Sequence, residues 1–135
     1  QLPKKLLRER IDEVMELFPR LKQRIDSRAA SLSGGEQKQL EIGRALLVKP
    51  EVILIDEPSI GLAPIIVQDV MQLLRKLADS GRSVLMVEQN VRTALKFSDR
   101  ALALEMGRLA VDRPASELLN DPNLNRLFLG GHAKT

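Results

Sequence analysis

Leu32-Ser33-Gly34-Gly35-Glu36-Gln37, followed by Val52-Ile53-Leu54-Ile55-Asp56-Glu57-Pro58, is the stretch that decides the fold. A serine and two glycines opening a helix leave backbone N–H groups bare of side chains. The helix N-terminus adds partial positive charge, and Ser33 has a hydroxyl to donate, so the corner can seat an anion. Taken alone, the same corner also reads as a plain N-cap turn. Residues 52–55 are a continuous apolar run, the pattern of a parallel strand buried on both faces. Asp56 and Glu57 follow at its carboxyl end, where open parallel sheets bind their ligands. There Asp56 is placed to hold Mg²⁺ through a water, and Glu57 to polarise a water as general base. Two acids opening a surface loop remain the plain alternative.

Working outward, Leu6, Leu7, Ile11, Val14, Met15 and Phe18 recur at helical spacing, so residues 2–18 read as an amphipathic helix stopped by Pro19. The basic residues Arg20, Lys22, Arg24 and Arg28 read as a solvated face. A second helix is predicted over 36–48, with Leu40, Leu46 and Leu47 inward. A third follows Pro64 through Ile66, Val70, Leu73, Leu74 and Leu77, closed by Gly81 as a left-handed cap. Residues 83–87 form a second fully buried strand. A short helix at 91–97 leads to a hairpin, 100–105 with 109–111, turning at Met106-Gly107. One or two short helices follow over 114–129. Strands alternating with helices in this order make the fold class α/β, a layered sheet.

Composition removes several classes of function. Of 135 residues, 44% are hydrophobic and 29% charged, an ordinary globular balance. The net charge of +3 is small, and three Phe are the only aromatics, so no base-stacking, basic groove for nucleic acid is in view. With no cysteine and a single histidine, His132 in a Gly/Ala/Lys tail, no thiolate or histidine metal site is built. No apolar run approaches the ~20 residues of a membrane span, so work at a membrane passes through a partner.

The string at residues 32–37 resembles the signature motif of ATP-binding-cassette proteins. Asp56 closes a Walker-B-like strand nineteen positions after Gln37. Glu57-Pro58-Ser59-Ile60-Gly61-Leu62 is similar to that family's catalytic glutamate and D-loop, and Glu88-Gln89-Asn90 falls where the family keeps its switch histidine. The resemblance implies a partial P-loop NTPase (RecA-like) core with the end of the helical subdomain. Residues 1–31 would be that subdomain's end, 32–112 the core, and 113–135 terminal helices and tail. Three positions depart from the pattern. Gln89 stands for histidine and can hydrogen-bond a phosphate or water without carrying a proton. Ala63 stands where the D-loop usually ends in aspartate, and Glu36 stands for the first glutamine. With these departures the chain resembles the ATPase subunits of branched-chain amino-acid importers most.

What the resemblance implies can be set out by residue. Two such subunits dimerise head to tail around ATP and Mg²⁺. Ser33, Gly34, Gly35, Glu36 and Gln37 act on the partner's ATP. Glu57 and Gln89 are catalytic, Asp56 is the metal residue, and Ser59, Gly61 and Leu62 belong to the D-loop. Transmembrane permease subunits, and indirectly a solute-binding protein, complete the assembly at the cytoplasmic face of the membrane. No Gly-x-x-x-x-Gly-Lys-Ser/Thr string occurs in the 135 residues. With Gln1 falling on a helical pattern, the expectation is a carboxy-terminal fragment that is inactive alone and associates through an uncovered sheet edge. Two rival readings are an ATPase of the same fold serving chromosome maintenance or translation, and a non-enzymatic dimerising module.

Overall fold

The computed structural model describes residues 3–124; the start of the first predicted helix, the end of the 114–129 segment and His132 lie outside them. Two compact units divide the chain, residues 1–87 and 88–135.

The first unit opens with α1 (Lys4–Leu17) and α2 (Pro19–Gln23). Pro19 was expected only to stop α1. It also starts α2 as the first helical residue, where its missing N–H costs nothing. The basic stretch expected as a solvated face is therefore partly helical, and Arg20 and Lys22 make ion pairs with Asp69 and Glu16. A 3₁₀ turn (Ala29–Ser31) leads into α3 (Gly34–Leu46), which begins two residues before the predicted start. Val14, Phe18, Leu21, Ile42 and Leu46 are buried where these helices meet. Arg10 ties α1 to the end of α3 by donating to the Leu47 carbonyl at 2.8 Å.

β1 (Val52–Asp56) and β2 (Ser83–Val87) pair in parallel, Val52 opposite Ser83 through Asp56 opposite Val87. The crossover is α4 (Pro64–Asp79), whose apolar stripe buries Val70, Met71, Leu73, Leu74 and Leu77. Each such side chain is worth about 1.5–3 kcal/mol when fully buried, and α4 packs on β2. The strands were expected to be buried on both faces, and here the structure corrects the reading. Ile53 is 7% exposed, but Leu54 is 72% and Leu85 56% exposed. One helix covers one face, and nothing among the described residues of this unit covers the other.

The second unit holds α5 (Val91–Phe97), the antiparallel pair β3 (Arg100–Glu105) and β4 (Arg108–Pro114), and α6 (Ala115–Leu119). β4 runs longer than the predicted 109–111 because the pairing reaches Arg100 opposite Pro114, across a register shift at Ala103/Leu104. Leu95, Ala115, Leu118 and Leu124 form its core. An ion pair across the hairpin, Arg100 to Asp112 at 2.7 Å, holds the carboxyl of Asp112 below the usual range.

Candidate nucleotide site

Ser33 adopts extended backbone and caps α3. Its hydroxyl accepts from the Glu36 N–H at 3.3 Å, and the Glu36 carboxylate accepts from the Ser33 N–H at 2.8 Å, a complete capping box. Gln37 closes the corner from behind by donating its side-chain amide to the Leu32 carbonyl at 3.1 Å. Three hydrogen bonds involving side chains thus tie the corner over residues 32–37. The bond from the Ser33 N–H is the main cause holding the Glu36 carboxyl below its ordinary range, with the Ser33 hydroxyl and Arg24 adding to it.

The two glycines do different work. Gly35 is buried, and a Cβ there would sit 2.5 Å from Cγ2 of Ile66 on α4, so the residue is bare to let two helices touch. Gly34 is exposed, and a Cβ there would meet only Leu62 Cδ2 at 3.9 Å, ordinary contact. No described residue of the unit demands glycine at position 34.

At the carboxyl end of β1, Asp56 is exposed and Glu57 half-buried. Glu57 departs from the strand with φ of 43°, in the left-handed region that non-glycine residues seldom occupy. Its N–H donates to the Val87 carbonyl at 2.8 Å and anchors this conformation. The loop turns through Ile60 N–H to Glu57 carbonyl and Leu62 N–H to Ser59 carbonyl, both 3.2 Å, with Gly61 at φ 71°. Leu62 then lies beside Gly34, so the glycine corner and the loop after the acid pair are neighbours in one unit. Among the described residues no group of three or more His, Cys, Asp or Glu gathers. A cation at Asp56 would therefore draw its remaining ligands from water and from the nucleotide, as hard Mg²⁺ commonly does.

In the second unit Gln89 is exposed on a tightly tied turn. Its carbonyl accepts from Val91 N–H at 3.0 Å, and the Glu88 carboxylate accepts from Asn90 N–H at 3.0 Å. Asn90 caps α5 by accepting from Thr93 N–H at 3.2 Å. Sequence reasoning named Gln89 but missed these flanking ties, and it missed Arg24 and Ile66, which touch the glycine corner. Asn90 ahead of a short helix was the readable signal; the other two carried none.

Residues 6–60 match the family model described as ABC transporter. Over 121 residues the chain is 50% identical to the high-affinity branched-chain amino acid transport ATP-binding protein BraG of Pseudomonas aeruginosa, covering 90% of this chain and 52% of that one. The chain belongs to the ATP-binding-cassette family. This cassette sequence is also 40% identical over 122 residues to the lipopolysaccharide export system ATP-binding protein LptB of Escherichia coli K12, covering 90% and 50% of the two chains. Among solved structures, the ADP conformation of MJ1267, an ATP-binding cassette of an ABC transporter, matches with a TM-score of 0.82 at 27% identity, covering 96% of this chain and 52% of that one. The chain spans about half the length of the curated relatives it matches. No helix among the described residues of the cassette is long and apolar enough to cross a membrane.

Proposed function

We propose that this chain is part of the ATP-hydrolysing subunit of a branched-chain amino-acid importer, acting at the cytoplasmic face of the membrane on transmembrane permease subunits. The observation that supports this most directly is the exposed Gly34 corner, bare without an internal steric reason, in one unit with Asp56 and Glu57 at a strand's carboxyl end. Two subunits meet head to tail. Ser33, Gly34 and Gly35, with Glu36 and Gln37 shaping the turn, receive the phosphates of the partner's ATP. Asp56, Glu57 and Gln89 act on the ATP held by their own subunit, and Ser59, Gly61 and Leu62 line the contact between subunits.

Glu57 accepts a proton from the water that attacks the γ-phosphorus; the bond to the β-phosphate oxygen breaks, and ADP and phosphate leave. Gln89 orients that water or the γ-phosphate by hydrogen bonding and carries no proton. Asp56 would hold Mg²⁺ through a water, and the bound cation would supply charge neutralisation for the phosphates. A solute-binding protein delivers the amino acid to the permease. The 135 residues alone contain no phosphate-gripping glycine-lysine loop, so hydrolysis belongs to the intact protein.

The 50% identity to BraG, against 40% to LptB, favours import of amino acids over lipopolysaccharide export. The test is ATP turnover by the intact protein with its permease in vesicles. Glu57→Gln should lower turnover by about 10² or more while ATP still binds. Leucine-, isoleucine- or valine-loaded binding protein should stimulate the wild type. Turnover unchanged by Glu57→Gln overturns the catalytic assignment, and stimulation by lipopolysaccharide instead overturns the solute.

A further inference from the structure

Glu36 poses an electrostatic problem that rests on the nucleotide reading above. A carboxylate sits three residues from Ser33, at the mouth of a corner proposed to receive phosphates. Like charge at such range opposes binding, by an amount that water and salt reduce. The capping box explains why an acceptor is needed at position 36, but glutamine caps equally well without the charge.

The structure places a counter-charge beside it. Arg24, the residue just past the end of α2, brings Nη1 to 3.8 Å from Oε1 of Glu36, while the other carboxylate oxygen, Oε2, takes the Ser33 N–H. The Glu36 side chain is only 15% exposed, and that of Arg24 is 44% exposed, so the guanidinium reaches from solvent onto a largely covered carboxylate. We propose that Arg24 is a positioning residue for the anion corner: it neutralises Glu36 and fixes the carboxylate on the Ser33 N–H, so that the corner stays open to phosphate despite its acid. Arg24 of the basic stretch then has a purpose beyond solvation, and the helical segment is tied electrostatically to the residues proposed to meet ATP.

Three features separate this role from plain structural support. Charge is what matters, so Arg24→Lys retains function. The need disappears when the acid does, so Arg24→Ala costs little in a Glu36→Gln background. The effect is screened, so salt shrinks it. The experiment measures ATP turnover of the intact protein for wild type, Arg24→Ala, Glu36→Gln and the double variant, at low and at high salt. Arg24→Ala should raise the KM for ATP about three- to tenfold at low salt with kcat nearly unchanged. In the Glu36→Gln background the same change should move KM less than twofold. An equal KM rise in both backgrounds overturns the proposal. A ¹³C titration of the Glu36 carboxyl, which needs no nucleotide, decides the pairing separately: its midpoint should rise in Arg24→Ala, and an unmoved midpoint refutes the pair. A wild type that hydrolyses no ATP removes the nucleotide function, and with it the role at the corner, whatever the titration shows.

Discussion

The two glycines of the corner should part company under alanine substitution. At Gly35, a new Cβ would lie 2.5 Å from Ile66 Cγ2, 3.3 Å from Cγ1 and 3.5 Å from Cβ. Relaxed carbon pairs sit at about 3.5–4.0 Å, so the nearest contact is short by roughly 1 Å. Ile66 cannot swing aside, because a β-branched side chain in a helix has essentially one χ1 well. The first turn of α4 must move instead, taking the end of the loop that follows Glu57 with it. Overpacking of this kind costs about 1–3 kcal/mol, and alanine's better helix propensity returns up to about 1 kcal/mol. With the full return the net loss is about 0–2 kcal/mol, which lowers Tm by up to roughly 8 °C. At Gly34 the same methyl meets only an ordinary 3.9 Å contact, so stability should hold or rise slightly. On the proposed function, that methyl stands where phosphate oxygens would approach the backbone N–H groups, and blocking such donors should cut ATP turnover at least about tenfold. Thermal unfolding and turnover of the intact protein read both effects. In an Ile66→Ala background the Gly35→Ala penalty should vanish, since the γ-carbons it strikes are gone. A Gly34→Ala protein as unstable as Gly35→Ala, or one turning over ATP at the wild-type rate, would refute the division of labour.

Two further outcomes follow from the same coordinates. The carboxyls of Asp112 and Glu36 are depressed by Arg100 and by the Ser33 N–H, so their stabilisation is full above about pH 4–4.5 and is lost as pH falls through their lowered folded values. Arg100→Gln should therefore lower the neutral plateau slightly and flatten the acid limb of the stability–pH curve below about pH 4; an unchanged acid limb counts against the pair. Residues 1–135 by themselves should associate as concentration rises, because Val52, Leu54, Leu85 and Val87 are all more than half exposed on one sheet. Light scattering checks this, and a monomer at high concentration would contradict it.

Much of the first unit was legible because its signals are local. The serine-glycine corner, the apolar run before Asp56, the period of α4 and the cap at Gly81 each depend on residues within a few positions of one another. The parallel pairing of β1 with β2 follows from an intervening helix of fixed hand and length. By the same logic, the four motifs in order were enough to assign the family. Other facts needed the tertiary structure. Continuous apolar runs showed two strands but not that one sheet face stands open, since covering a face depends on which distant element lies over it. Ile66 against Gly35 and Arg24 upon Glu36 join residues 31 and 12 positions apart, beyond any helical or strand period. The sequence alone thus determined which chemical groups the site contains and the elements that carry them. Packing between those elements decided that Gly35 is bare for a neighbour while Gly34 has no such internal reason, because steric demand at a Cβ is set by whatever the fold brings next to it.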